Sequence, residues 1–183
     1  MIKGYLKRYA TTDLVIISLL SAGGIATKPF VRVLAQIFTG SVVPIGTVAG
    51  VFYMLWIVLA CLLVRKRGTA ILFGIVESVL VVIFDMLGNR GLANLLVYIG
   101  PGITLELVML LFPRYVSSLG SSFMAGGVAN ATGAFIVSWV FMRLAAIPLA
   151  VTVSLSYLAG GIGGLVAYRI YGVIKRFRPE QTV

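Results

Sequence analysis

Three carboxylic acids lie inside long apolar stretches of this sequence, at Glu77, Asp85 and Glu106. An ionisable group within a bilayer costs several kcal/mol, so each is expected to serve a ligand, an ion path or an interhelical hydrogen bond. Polar and aromatic side chains in neighbouring stretches could line a cavity with them: Asn89, Asn94, Tyr98, Asn130 and Trp139. Because Tyr and Trp also favour membrane interfaces, interfacial anchoring stays open for the two aromatic residues.

Other chemistry is restricted by composition. The 183 residues contain no histidine, which excludes His-based hydrolytic triads and His-ligated metal sites. Cys61 lies in the apolar run 51–64 and is interpreted as a small buried residue. No Gly-x-x-x-x-Gly-Lys-Ser/Thr sequence occurs, so any ATP must be hydrolysed by other subunits. We predict a chain that is not an enzyme and binds no cofactor or metal of its own.

The elements that position these residues are apolar helices. The chain is 60% apolar and 11% charged, with a mean hydropathy of +1.09. Since one crossing takes about 20 apolar residues, residues 1–183 are predicted to form one all-α transmembrane domain with six spanning helices. The first apolar run is expected to be a permanent helix, because no cleavage signal follows it. The predicted helices cover residues 13–26, 43–64, 69–87, 92–112, 117–142 and 145–174.

Two segments interrupt this pattern. Lys28 and Pro29 predict the end of the first helix, and residues 30–41 then form a loop across the outer mouth or, alternatively, an extension of that helix. The triplet Gly100-Pro101-Gly102 lies inside the fourth helix. Backbone groups released there would need partners or water, which predicts a break and a cavity near the outer half of that helix.

The Lys and Arg residues predict the orientation. With six crossings, 11 of the 15 cations fall on the side that holds both termini, and four fall on the other. The positive-inside rule makes the first side, with both termini, cytoplasmic. Because the cations are scattered between apolar spans, no nucleic-acid partner is expected. The cytoplasmic group is Lys3, Lys7, Arg8, Arg65, Lys66, Arg67, Arg114, Arg169, Lys175, Arg176 and Arg178, and the opposite group is Lys28, Arg32, Arg90 and Arg143.

Small residues recur every four positions in three helices. Such stripes let helices approach closely, and packing within the bundle is their ordinary interpretation. In the first helix the stripe is Ser18, Ala22 and Ala26. The other two stripes are Ala125, Ala129 and Gly133 in the fifth helix, and Gly160 and Gly164 in the sixth.

The arrangement resembles the substrate-binding S-components of energy-coupling factor (ECF) vitamin transporters, through six helices, cytoplasmic termini and the Ala-x-x-x-Ala pattern of residues 22–26. The stretches 56–70 (WIVLACLLVRKRGTA), 88–91 (GNRG) and 102–108 (GITLELV) look like YkoE-type S-components. Those carry a similar Arg-Lys-x-Gly-x-Ala turn and a Gly-x-x-x-Glu-Leu stretch. Their Gln before that Gly is replaced by Pro101 in this chain.

The resemblance implies a binding subunit in a prokaryotic cell membrane that captures a small water-soluble vitamin or precursor, with thiamine or hydroxymethylpyrimidine as the first expectation. It implies that Ala22 and Ala26, with Ser18, face a transmembrane coupling subunit, that Glu106 faces the pocket, and that two ABC-type ATPase subunits hydrolyse ATP. Intramembrane carboxylates favour a cationic or hydrogen-bond-donating substrate. Riboflavin, biotin, cobalamin and queuosine precursors stay open.

A different class of function also fits the acids. In a stand-alone secondary carrier or channel, Glu77, Asp85 and Glu106 would form a path for protons or cations. The sequence predicts the same spans for both functions, so the presence or absence of ATPase partners discriminates between them.

Overall fold

The computed structural model describes residues 9–39, 45–84 and 95–177. Over these ranges the chain is helical and forms no β-strand, which confirms the all-α prediction. The described elements are α1 (Thr11–Thr39), α2 (Ile45–Val64), α3 (Thr69–Ile83), α4 (Leu95–Met109), α5 (Leu119–Phe135) with a π-helical continuation (Ile136–Phe141), and α6 (Ala146–Phe177).

The lengths and surfaces of the helices fit a bilayer. The segments Thr11–Leu34, Leu119–Phe141 and Ala146–Phe177 are long and apolar enough to cross one, and Ala49–Val64, Thr69–Ile83 and Leu95–Met109 are shorter apolar helices. Large apolar side chains such as Leu19, Ile83 and Ile147 point outward, as expected where lipid replaces water. The chain is therefore a helical membrane protein. Six crossings and cytoplasmic termini stay predictions, and residues 1–8 and 178–183 lie outside the described ranges.

The first helix does not end at Lys28-Pro29, so the prediction of residues 13–26 was too short. Helix α1 continues through Pro29 to Thr39, as in the alternative of an extended first helix. A proline removes one backbone donor, so the carbonyl oxygen of Ile25, four residues before Pro29, loses its usual partner within the helix. A helix bundle tolerates this where neighbouring helices or local adjustments cover the group. The Thr27 hydroxyl bonds the carbonyl oxygens of Gly23 and Gly24, each 3.0 Å away, as threonines inside helices commonly do.

The expected break at Gly100-Pro101-Gly102 is also wrong, because α4 is continuous through it. The Thr104 hydroxyl lies 3.2 Å from the carbonyl oxygens of Gly100 and Pro101. A β-carbon on Gly102 would lie only 2.4 Å from the carbonyl oxygen of Ala70 on α3. The glycine therefore serves a close contact between α3 and α4, and the helix does not open at this point.

The other bounds differ modestly from prediction. The described part of α3 ends at Ile83, and residues 85–94, which include the predicted end of the third helix and start of the fourth, lie outside the described ranges. Helix α4 ends at Met109 rather than at residue 112. Beyond this end, the Arg67 guanidinium donates to the carbonyl oxygens of Met109 and Phe112. Helix α5 changes to π-helical form at Ile136 before the predicted end at residue 142.

Glycines set the closest helix contacts. Helix α2 packs against α1, α3, α5 and α6 and supplies much of the buried core. A β-carbon on Gly126 of α5 would lie 2.2 Å from the carbonyl oxygen of Gly160, and one on Gly164 would lie 2.0 Å from that of Ser122. Ala125 and Ala129 are fully buried. These contacts confirm that the small residues of the fifth and sixth helices serve packing within the bundle.

Candidate functional site

A buried ion pair joins α1 to α3 in the interior of the bundle. The ammonium nitrogen of Lys28 lies 3.1 Å from Oε1 of Glu77, and only 18% and 12% of the two side chains are exposed. Helix α1 places a cation here because it continues past the predicted end at residue 26. An opposite charge at this distance offsets part of the desolvation cost that each group would incur alone.

Aromatic rings surround this pair. The Lys28 ammonium lies 4.2 Å from the centre of the Tyr98 ring and 5.8 Å from that of Tyr53, within the range of a cation–π interaction. Trp56 forms another side, because a β-carbon on Gly24 would lie 2.9 Å from the Glu77 carboxylate and 3.5 Å from the indole. We define Lys28, Glu77, Tyr53, Tyr98 and Trp56 as the charged aromatic cluster.

Asn130 occupies a different contact. Its side-chain amide donates to the carbonyl oxygen of Ser156 at 2.8 Å, and a β-carbon on Gly50 would lie 1.8 Å from the amide nitrogen. Asn130 thus holds α5 against α6 where α2 approaches. The buried hydroxyls of Ser138 and Ser156 have no hydrogen-bond partner among the described residues.

Glu106 was expected to face a ligand pocket, but near the C-terminal end of α4 its side chain meets the start of α3. Its carboxylate accepts a hydrogen bond from the backbone N–H of Ala70, 3.0 Å away in the first turn of α3. The Tyr115 hydroxyl donates to the same oxygen and lies 3.4 Å from Sγ of Cys61. Burial raises the pKa of the Tyr115 phenol, so this group keeps its proton and acts as a donor. Glu106 therefore caps α3, a structural role, near the Arg65–Arg67 turn and away from the expected outer cavity.

The remaining predicted residues fall in several places. Tyr98 belongs to the charged aromatic cluster with Glu77. Trp139 is 58% exposed and packs on Phe135 with ring centres 5.3 Å apart, which places it on the outer surface. Asp85, Asn89 and Asn94 lie outside the described residues. The structure thus brings together two of the predicted ligand-binding residues, Glu77 and Tyr98.

The small-residue stripe of α1 faces outward. Ser18, Ala22 and Ala26 are all exposed, whereas Gly23 and Gly24, between them in sequence, face Trp56 and Glu77. This short stretch of α1 therefore has an inner face toward the bundle and an outer face toward the surroundings. The inner face closes on the charged aromatic cluster and the outer face leaves a shallow surface open.

A comparison of the sequence with known families gives one match. The profile of the family described as "ABC-type cobalt transport system, permease component" matches residues 12–132, about two thirds of the chain. The chain belongs to this family. It is therefore a membrane component of an ABC-type transport system. No curated protein and no solved structure shows significant similarity to it.

Three residues of the charged aromatic cluster in this permease-family chain were not predicted from sequence: Lys28, Tyr53 and Trp56. Lys28 was assigned to a helix end because Pro29 follows it. A signal for Lys28 did exist, since Glu77 in mid-helix needs a partner of opposite charge. Tyr53 and Trp56 carried no signal, because aromatic residues at helical spacing are ordinary in apolar spans.

Proposed function

We propose that this chain is the substrate-binding subunit of an ATP-driven ECF-type importer and has no catalytic activity of its own. Its ligand would be a small water-soluble vitamin or precursor that is cationic or donates hydrogen bonds, with thiamine or its hydroxymethylpyrimidine precursor as the first candidates. ATP would be hydrolysed by two ABC-type ATPase partners, joined to this chain by a transmembrane coupling subunit. Family membership favours such an assembly over a stand-alone secondary carrier or channel.

The observation that carries the proposal is the surroundings of the Lys28 ammonium. It lies between a carboxylate and the faces of two tyrosine rings, 3.1 Å from Glu77 and 4.2 Å from the centre of the Tyr98 ring. Aromatic faces beside a carboxylate are the usual surroundings of a bound organic cation. A cationic ligand would displace Lys28 from Glu77 and occupy the same aromatic surface.

The family's description names cobalt, so Co²⁺ is the second candidate ligand. Imidazole and thiolate are the side chains that suit this part of the transition series, and the chain has no histidine. The described residues contain no group of three or more Cys, Asp or Glu side chains placed to hold a metal ion. The charged aromatic cluster offers one carboxylate and several rings, which favours an organic cation.

Calorimetric titration of thiamine, hydroxymethylpyrimidine and Co²⁺ into the detergent-purified protein tests this proposal. Glu77→Gln should weaken thiamine binding about tenfold to a hundredfold, since a hydrogen bond to a charged group contributes about 1.5–3 kcal/mol. Lys28→Met should tighten it, because the internal competitor for Glu77 is gone. Glu106→Gln is the matched control and should leave affinity unchanged. Equal losses in Glu77→Gln and Lys28→Met would indicate a purely structural pair and contradict the proposal.

The outward stripe of α1 is the proposed surface for the coupling subunit. Ala22→Trp or Ala26→Trp should block uptake in the reconstituted complex, because a large side chain holds the partner helix away. Ligand binding by the isolated protein should survive, since both positions are exposed. Leu158→Trp, an equally bulky change on the exposed face of α6, is the control and should transport normally. Normal uptake by both α1 variants would place the coupling surface elsewhere.

A further inference from the structure

A basic cleft opens at the end of the bundle that holds the Arg65–Arg67 turn. It has a volume of about 680 Å³ and lies between the end of α2, the connection from α4 to α5, and the start of α5. The residues that line it are Arg65, Phe112, Pro113, Arg114, Ser117, Ser118 and Ser121. We call it the basic cleft. It is separate from the charged aromatic cluster, with which it shares no residue.

Buried structure anchors the backbone from which the two cations of the cleft extend. Arg65 directly follows α2, where its backbone N–H bonds the carbonyl oxygen of Cys61 at 2.9 Å, and its guanidinium lies 5.1 Å from the centre of the Tyr171 ring. Arg114 precedes Tyr115, which is buried and bonded to Glu106. Both guanidinium groups are therefore presented from anchored backbone.

The neighbouring cations have other partners. Lys66 pairs with Asp13, and Arg67 donates to carbonyl oxygens at the end of α4. In contrast, neither Arg65 nor Arg114 has a carboxylate partner among the described residues, and the cleft lining contains no acidic side chain. Within residues 9–39, 45–84 and 95–177, the cleft therefore carries the positive charge of two guanidinium groups with no carboxylate to pair with them.

The remaining lining suits an oxyanion. Three serines line the cleft, Ser117, Ser118 and Ser121, and Ser118 is the N-cap of α5. The Ser118 and Ser121 hydroxyls already bond each other and nearby backbone groups, and the helix N-terminus adds a partial positive charge that favours an anion. Guanidinium groups bind phosphate oxygens through paired hydrogen bonds. A phosphate group therefore matches the cleft in charge and in hydrogen-bonding capacity.

Apolar residues beside the cleft indicate the source of that phosphate. Leu111 is 82% exposed, and Leu110 and Leu119 are also exposed next to the lining residues. A membrane component presents such leucines to acyl chains. Basic pockets between transmembrane helices on the cytoplasmic side, the side predicted for the Arg65–Arg67 turn, bind anionic head groups. We propose that the basic cleft binds the phosphate of an anionic phospholipid, whose acyl chains lie against these leucines.

Native mass spectrometry of the full-length protein in detergent tests the proposal with three probes: dioctanoyl phosphatidylglycerol, dioctanoyl phosphatidylcholine and inorganic phosphate. Phosphatidylglycerol should bind the wild type at least about tenfold more tightly than phosphatidylcholine, since only it leaves the guanidinium groups a net anion to pair with. Inorganic phosphate should compete with it only weakly. Equal affinity for the two lipids overturns the proposal. Full competition by phosphate at equal concentration overturns the lipid as the source.

A matched pair of double variants locates the site. Arg65→Asn with Arg114→Gln removes both cleft charges, and Asn is chosen because Arg65 has a left-handed backbone (φ 52°) that Asn tolerates. This variant should lose the preference for phosphatidylglycerol. Arg169→Gln with Arg176→Gln removes the same charge from exposed positions on α6 outside the cleft and should keep it. Equal loss in both variants would mean diffuse attraction rather than a site. If the cleft variant does not fold, the three-probe comparison on the wild type decides alone.

Discussion

The ion pair between Lys28 and Glu77 makes a quantitative prediction about stability. At 3.1 Å, the attraction between two unit charges is about 5 kcal/mol for an effective dielectric constant near 20. The desolvation of both groups opposes most of it. Breaking a buried pair by removing one partner costs about 3–5 kcal/mol, because the other charge is left uncompensated.

The single variants are expected at or just below the lower end of that range. The two side chains keep 18% and 12% of their surface exposed, so an unpaired charge retains part of its contact with polar surroundings. We expect Lys28→Met and Glu77→Gln each to lower the unfolding free energy by about 2–3 kcal/mol. The double variant removes both charges and should lose only about 1 kcal/mol. The coupling energy of the cycle should then be about 3–5 kcal/mol.

Reversible unfolding in mixed micelles of a mild detergent and sodium dodecyl sulfate, followed by circular dichroism, measures all four proteins. A coupling energy below about 0.5 kcal/mol, with additive single effects, would refute the reasoning. The folded double variant has a second use. It lacks the Glu77 carboxylate without an unpaired charge, so its affinity for thiamine separates a binding defect from a stability defect.

The other predictions concern packing, capping and topology. Gly126→Leu should lower the unfolding free energy by about 1–3 kcal/mol or more in the same assay, because a β-carbon at this position would lie 2.2 Å from a carbonyl oxygen of α6. Gly120→Ala is the control: no atom lies within 4 Å of its β-carbon, so it should be neutral or stabilising. Glu106→Leu should lower the unfolding free energy by about 2–4 kcal/mol, since two buried donors lose their acceptor. A change below about 0.5 kcal/mol, the usual size of the effect of a surface substitution, would contradict the capping role. In a variant with Cys61 replaced, a cysteine in the turn 65–67 should react with an impermeant maleimide only from the cytoplasmic side, and labelling in intact cells would reverse the predicted orientation.

The distribution of apolar and charged residues was sufficient to predict the class of the fold. Helix positions, the membrane environment and the acids at unusual depth all follow from local composition, since a span needs its apolar residues in one run. That Ser18, Ala22 and Ala26 share one face of α1 followed from spacing, because residues four apart lie on the same side of a helix. Spacing did not indicate that this face points outward, since packing within the bundle was its ordinary interpretation. Proline rules misplaced the end of α1 and the supposed break in α4. Those rules describe isolated helices in water, whereas inside this bundle the packing of neighbouring helices keeps α1 and α4 helical through their prolines.

What only the tertiary structure decided is which acid faces which partner. Glu77 and Glu106 have the same functional group and similar apolar flanks. Glu77 meets the ammonium of Lys28, 49 positions away along the chain, beside aromatic rings. Glu106 contacts the first turn of α3, 36 positions away, and accepts a hydrogen bond from a backbone N–H that has no partner within its own helix. The chemistry of a carboxylate depends on such neighbours, and helix-to-helix contacts between distant segments place them, which no local pattern of residues records.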